Sequence, residues 1–314
     1  MDQNTIAIIW DFDKTLTPNY MQNPIFEQFK VDPVKFWVEV NSLPEKYALA
    51  DIKVNKDTIY LNHMITCVRQ GLFPRLNNKL LKELGQKIEF YNGIPEIFSQ
   101  LDTIIDKPQF KTFNIHIENY IVSTGITQMI RGSKVAPFIK DIWGCEFIEN
   151  PIPTKLCKEN SSSRDDILSQ IGYIIDNTSK TRAIFEINKG ANVFPKDIDV
   201  NSTMKAESRR VPFENMVYIA DGPSDIPVFS ILKQYGGSTF AIYPKGNKEA
   251  FDQVELLLRG GRIDSYAEAD YSSGTQTNMW LTRRVEEIAN KIYQKMKDAL
   301  DKSAGKPPRH IVEE

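Results

Sequence analysis

The sequence predicts an α/β protein, a parallel sheet covered by helices, with a small helical module inserted after the first strand. Two observations predict the sheet. Short apolar runs alternate along the chain with segments of helical periodicity, as in sheets buried on both faces. The runs are also strand-length and are followed by turn residues, which separates them from buried helix. A third observation predicts the insertion: residues 18–92 carry apolar side chains at helical spacing.

In chain order, the strands expected are Ile6–Trp10, Ile117–Val122, Glu146–Ile148, Val217–Ala220 and Thr239–Tyr243, with Tyr173–Ile175 as a further short one. Within the insertion, Ile25, Phe26, Phe29, Phe36, Trp37 and Val40 recur every three or four residues. So do Ile59, Tyr60, His63, Met64 and Cys67, and then Leu76, Leu80, Leu81 and Leu84 before Gly85. Tyr91-Asn92-Gly93-Ile94-Pro95 reads as the return hinge, with Pro95 near a helix start. Leu281, Val285, Ile288, Ile292, Met296 and Ala299 mark a C-terminal amphipathic helix. The expected division is a core of 1–17 and 93–302, a helical cap of 18–92, and a loose tail of 303–314.

Composition narrows the function. The chain has 314 residues and a formal net charge of -2, which offers no electrostatic footprint for nucleic acid or an anionic membrane. No apolar run approaches the ~20 residues needed to span a bilayer. The N-terminal apolar stretch runs straight into acidic residues, unlike a secretory signal. Cys67, Cys145 and Cys157 form no CxxC pair and read as free thiols of a reducing compartment. The expectation is a cytoplasmic protein with no nucleic-acid or membrane partner; oligomeric state is left open.

Chemistry is concentrated at strand ends. Asp11-Phe12-Asp13-Lys14-Thr15 follows the first strand. Residues two apart on an extended chain share a face, so Asp11 and Asp13 can face one pocket while Phe12 turns to the core. Two buried carboxylates repel unless a cation or a shared proton compensates, and Mg2+ is the usual hard cation beside phosphate. A carboxylate nucleophile can split phosphate-ester hydrolysis into two steps, and a second carboxyl can serve as acid and then base. Asp11 is the candidate nucleophile and Asp13 the candidate acid/base.

Ile121-Val122-Ser123-Thr124-Gly125 ends another apolar run, and a hydroxyl there can hold a phosphoryl oxygen. Ser123 is the first candidate and Thr124 the second. Val217–Ala220 runs into Asp221-Gly222-Pro223-Ser224-Asp225, where Asp221 and Asp225 are candidate metal ligands. A phosphoryl group also needs a cation from the protein. Lys180, just ahead of the helix-like Arg182–Lys189, is the best candidate, with Lys189 and Lys205 behind it.

Taken together these segments resemble the haloacid dehalogenase superfamily, in its phosphoserine-phosphatase-like branch with a helical cap. Asp11-Phe12-Asp13-Lys14-Thr15 matches its DxDx[T/V] motif, Ile121-Val122-Ser123 its strand ending in Ser or Thr, and Asp221-Gly222-Pro223-Ser224-Asp225 its DGxxD motif. Lys180 matches the motif lysine least specifically. The resemblance covers residues 5 to about 245. It implies a Rossmann-like sheet with the Asp11 strand central and the Ser123 and Asp221 strands on either side. It also implies Mg2+ held by Asp11, the backbone carbonyl of Asp13 and Asp221, with Asp225 nearby and Thr15 bracing the loop. Lys14 departs from the glycine that many of these phosphatases carry there.

The expected activity is therefore a Mg2+-dependent phosphatase acting on a small phosphorylated metabolite. Arg69, Arg75 and His63 are the cap side chains with polar reach, although His63 sits on an apolar stripe and suits core packing. Asp13 argues against dehalogenation, which uses one aspartate and no metal. The alternatives are transfer to an acceptor other than water and a catalytically silent binding protein on the same fold. The segment 259–277 is expected to be a packed connection.

Overall fold

β1 (Thr5–Trp10) is buried at all six residues and takes the centre of the sheet. The structure is a computed structural model that describes residues 3–152 and 166–304. Cys157, the polar stretch 159–163 and the tail from 305 lie outside the described residues. On one side of β1 stand β2 (His116–Ile126), β3 (Ile139–Ile148) and β4 (Gln170–Tyr173). On the other stand β5 (Met216–Ala220), β6 (Ser238–Tyr243) and β7 (Ser265–Glu268). The seven-stranded order is β4-β3-β2-β1-β5-β6-β7, parallel except for the antiparallel β3–β4 pair.

This is the α/β architecture expected, with the Asp11 strand flanked by the Ser123 and Asp221 strands. Register completes the point. Trp10 lies opposite both Ile121 and Ile219, so the residues that follow emerge together at one edge of the sheet. Connections leave β1 in both directions, which opens a crevice at the carboxyl ends of the strands. Three details differ from expectation, the first being that β3 begins at Ile139 rather than Glu146. The short strand beyond β3 is Gln170–Tyr173 rather than Tyr173–Ile175, because its antiparallel partner residues are Glu146 to Ile148. Segment 259–277 contains the unanticipated β7, a four-residue strand too mixed in character to stand out.

Both faces of the sheet are covered. Trp10 meets Phe98 of α5 (Glu96–Ile105) edge-on at 5.5 Å. Tyr218, opposite Ile9 and so on the other face, meets Phe229 of α9 (Ile226–Gln234) at 5.7 Å. The long α11 (Gln276–Ala304) packs beside α5 and beside the short α6 (Pro108–Lys111). α8 (Lys180–Lys189) lies beside α9, α10 (Lys248–Arg259) beside β6, and α7 (Thr127–Gly132) beside β3. Among the described residues no helix is long and apolar enough to cross a membrane.

Four helices separate β1 from α5: α1 (Asn23–Phe29), α2 (Pro33–Ala48), α3 (Ile59–Arg69) and α4 (Asn78–Gly85). Asp32 and Asn77 cap α2 and α4 by accepting backbone N–H bonds. Phe26, Phe36 and Phe73 form the aromatic centre of this group. His63 packs against Phe36, tilted with ring centroids 5.3 Å apart, a packed histidine. The Tyr91 N–H donates to the Leu16 carbonyl at 3.0 Å, which ties the exit of the insertion to its entrance.

α4 crosses α7 with backbone against backbone. A Cβ on Gly132 would stand 1.8 Å from the Lys82 carbonyl oxygen, and one on Gly85 2.1 Å from that of Met129. Neither neighbour is a flexible side-chain tip, so the helices themselves must separate. Gly132→Ala is expected to cost about 1–3 kcal/mol of stability, the range for overpacking. Urea denaturation measures it, and an unchanged midpoint would contradict so close a crossing.

Candidate active site

Asp11 is held by the end of the sheet. Its N–H donates to the Ile219 carbonyl at 2.9 Å, which continues the β1–β5 ladder by one residue. Its Oδ2 accepts the Thr15 hydroxyl at 3.0 Å, and its Oδ1 accepts the Lys180 ammonium at 2.7 Å. Phe12 points away into the core, edge-on to Phe90. Asp13 lines the same cavity as Asp11, as the alternation requires. Its Oδ1 accepts the Met21 N–H at 2.7 Å. Lys14 has left-handed backbone, φ 59°, which is where glycine is easiest to place. Its ammonium lies over the Tyr20 ring, 4.4 Å from the centroid.

Ser123 and Thr124 both line the cavity. The Ser123 Oγ accepts the Gly125 N–H at 3.0 Å, which fixes its rotamer while leaving the hydroxyl proton to donate. The Thr124 carbonyl accepts the Tyr60 hydroxyl at 2.7 Å, a direct tie from α3 to the end of β2.

Lys180 opens α8 rather than preceding it. Asp176 builds the turn: its side chain accepts the Thr178 and Ser179 N–H groups, and its carbonyl accepts that of Lys180. The lysine is 1% exposed, with its Nζ 2.7 Å from both Asp11 Oδ1 and Asp225 Oδ1. The other candidates stand elsewhere. Lys189 donates to the Val200 and Ser202 carbonyls, and Lys205 lies in an exposed loop.

Asp225 is fully buried, and both oxygens are used. Oδ1 accepts from Lys180 and from the Tyr218 hydroxyl at 2.5 Å, and Oδ2 from the Ser224 hydroxyl at 2.6 Å. Asp221, half-buried on the cavity wall, makes no side-chain hydrogen bond among the described residues. Carboxylate oxygens of Asp11, Asp221 and Asp225 lie within 4.8 Å of one another. Sequence reasoning missed Tyr218. Its only signal was a polar-tipped ring in an otherwise apolar strand.

Electrostatics follows from burial. Desolvation pushes the Asp11 carboxyl above its ordinary range; Lys180 opposes this and Asp225 adds to it. Asp221 is raised by burial and by the neighbouring Asp11 and Asp225. Burial lifts Asp13 to about 8, against the Met21 N–H. Burial alone would pull the Lys180 ammonium down, but its two carboxylate partners outweigh this and hold it above its ordinary value. A set of crowded, buried, hard oxygen donors with one lysine among them fits a divalent ion such as Mg2+. Asp221 is the group with a free carboxylate to offer it.

These shifts set a stability profile. A carboxyl raised from 3.8 to about 8 binds more protons folded than unfolded between those values. Stability of the metal-free protein therefore falls as pH rises through that window. Mg2+ is expected to raise the melting temperature more at pH 8 than at pH 6. Thermal denaturation with and without Mg2+ checks this, and a larger shift at pH 6 would contradict it.

A cavity of about 710 Å3 opens above these groups, walled on the other side by residues of the helical insertion. Tyr20, Trp37, Asn41, Asp57 and Tyr60 stand in that wall. Arg69, Arg75 and His63 do not, which corrects the expectation for the two arginines and agrees with core packing of His63. Arg69, at the end of α3, donates to the Ser169 carbonyl; Arg75 is exposed on a turn; His63 is packed on Phe36. Tyr271, in the segment 259–277, is buried and donates to the Thr15 carbonyl at 2.7 Å. That segment is a packed connection that buttresses the loop from behind.

No family model matches the chain. A protein of Borreliella burgdorferi, itself uncharacterised, is 38% identical over 288 residues, which cover 90% of this chain and 97% of that one. Among solved structures, a phospho-aspartyl intermediate analogue of a phosphoserine phosphatase is 15% identical, with TM-score 0.46, over 84% of this chain and 93% of that one. A haloacid dehalogenase family hydrolase of Salmonella enterica serovar Typhi is 13% identical, with TM-score 0.46, over 81% of this chain and 70% of that one. The fold itself is read from the chain's own sheet order and from the strand ends that carry its motifs. The chain belongs to one family with the Borreliella burgdorferi protein, and its core is a Rossmann-like α/β fold.

Proposed function

We propose that the chain is a Mg2+-dependent phosphatase that moves a phosphoryl group from a small phosphomonoester to Asp11 and then to water. The observation that carries this reading is the meeting of Asp11, Asp221 and the Lys180 ammonium beneath one cavity, each from a different strand end or helix start.

The Asp11 carboxylate attacks phosphorus, and the ester P–O bond breaks. Asp13, kept protonated near neutrality by burial, gives its proton to the leaving alkoxide. The resulting Asp13 carboxylate then takes a proton from water as the water oxygen attacks phosphorus. The bond from phosphorus to Asp11 breaks and inorganic phosphate leaves. Lys180 and the Ser123 hydroxyl hold phosphoryl oxygens. Thr15 keeps Asp11 in place, and Asp225 anchors Lys180 from behind. Asp11, Asp221 and the backbone carbonyl of Asp13 would hold Mg2+, which supplies neutralising charge to the phosphoryl oxygens when bound.

Residues 18–92 act as the cap that keeps bulk water from the aspartyl-phosphate and selects the leaving group. The buried free thiols of Cys67 and Cys145 suit a reducing compartment.

The test is hydrolysis of p-nitrophenyl phosphate by the purified protein with Mg2+ and with a chelator. Turnover that depends on Mg2+ is expected. No turnover, or equal turnover in the chelator, would overturn the reading.

A further inference from the structure

The cavity wall contributed by the helical insertion carries no arginine, lysine or histidine. This decides which leaving groups the cavity can take. Among the described residues of the lining there are two ammonium groups, Lys14 and Lys180, against four carboxylates, Asp11, Asp13, Asp57 and Asp221. Lys180 is buried between its two aspartates at the phosphoryl end. Lys14 belongs to the same end, in the loop beside Asp13, and its ammonium is seated on Tyr20. From the insertion wall itself a carboxylate or second phosphate on the leaving group would meet no cation. It would be desolvated beside acidic side chains, which is unfavourable for an unpaired charge.

What the wall offers instead is neutral hydrogen bonding. Asn19, Asn23, Asn41 and Asn177 all line the cavity, and none of their side-chain amides bonds elsewhere among the described residues. An amide both donates and accepts, as a hydroxyl does, so the two pair in any proton arrangement. Between these amides runs a row of rings: Tyr20 to Trp37 at 5.3 Å and Trp37 to Tyr60 at 5.8 Å between centroids. Amphipathic rings among uncommitted amides suit a molecule with C–H faces and hydroxyl edges. A cationic leaving group fits less well. The Tyr20 face already carries the Lys14 ammonium, and Asp57 is the single acid beyond the phosphoryl end.

We infer that the leaving group is a neutral polyhydroxy alcohol, so that the substrate class is a monophosphorylated sugar or sugar alcohol. The inference rests on the phosphatase reading above and narrows it. It sets this cavity apart from one built for phosphoserine, whose leaving group carries both a carboxylate and an ammonium.

The experiment compares kcat/KM of the Mg2+-loaded protein for glucose 6-phosphate, mannitol 1-phosphate, phosphoserine, 3-phosphoglycerate and phosphocholine, with p-nitrophenyl phosphate as control. At least one sugar or sugar-alcohol phosphate is expected to exceed every charged leaving group by about tenfold or more, the scale of one unpaired polar group. Asn41→Arg, an exposed position on α2, places a cation in the wall. It is expected to shift the ratio of phosphoserine to sugar phosphate upward by about tenfold. If p-nitrophenyl phosphate is hydrolysed but a charged leaving group equals or beats the sugars, the inference falls and the phosphatase reading stands. An unmoved ratio in Asn41→Arg also overturns it. If p-nitrophenyl phosphate is not hydrolysed in Mg2+, both fall together.

Discussion

Asp11→Asn is expected to reduce turnover by about 10⁴-fold or more while leaving the protein folded. The magnitude follows from the role: a nucleophile that forms the covalent intermediate acts as one unit with the acid and the oxyanion donors. An amide oxygen cannot form the acyl phosphate and leave from it as a carboxylate does. The amide keeps the shape of the side chain, and its oxygen can still accept from Thr15 or Lys180. It also removes a negative charge that burial and the neighbouring Asp225 disfavour. The metal-free variant should therefore melt at or above the wild-type temperature at pH 8, and gain less from Mg2+. Steady-state assays beside thermal denaturation check both halves. Activity within tenfold of wild type would contradict the nucleophile assignment.

Lys180→Met should have the largest effect on stability of any single substitution in the site. The lysine Nζ is shared between two carboxylates at 2.7 Å each, and Asp225 is fully buried. Removing the cation leaves both charges uncompensated in low dielectric, and breaking a buried pair this way costs about 3–5 kcal/mol. The sign of the pH dependence follows. With the lysine gone nothing offsets the burial that already raises Asp11, so that carboxyl holds its proton more tightly in the folded variant, which regains stability as pH falls. Adding Asp225→Asn to the variant should recover part of the loss, because the amide no longer needs a counter-ion. A double-mutant cycle by urea denaturation at pH 8 measures the coupling. A loss under about 1 kcal/mol would contradict the account of Lys180 as a buried keystone between Asp11 and Asp225.

The legible parts of this fold were those where one local pattern has one physical outcome. An apolar run such as Ile6–Trp10 ending in Asp-Phe-Asp can hardly be anything but a buried strand delivering carboxylates to its carboxyl end. The same logic found the strand before Asp221, and the apolar stripe around His63 marked it as a packed residue. Lys180 was found by need, since a phosphoryl site wants a cation, and its helix begins earlier than side-chain periodicity alone showed. The rest depended on tertiary placement. β7 is four residues long and earns its place by pairing with β6, not by its own pattern. Tyr218 reaches Asp225 because the turn after β5 folds back over the strand end, which spacing alone does not reveal. The cavity wall was hidden most completely. Which face of α2 lines the cavity is set by tertiary packing that helical spacing does not give, and so Asn41 and Trp37 carry no sign of the site in the sequence while Arg69 and Arg75 do.

The proposed reaction turns on a covalent bond between phosphorus and one carboxylate, so the most direct measurement is to catch that bond. The Mg2+-loaded protein is quenched in acid during turnover of p-nitrophenyl phosphate, digested at low pH and mapped by mass. A single phosphoryl group is expected on the peptide that holds Asp11, released by hydroxylamine and absent from Asp11→Asn. A phosphoryl group on any other side chain, or steady turnover with the Asp11 peptide never modified, would contradict it.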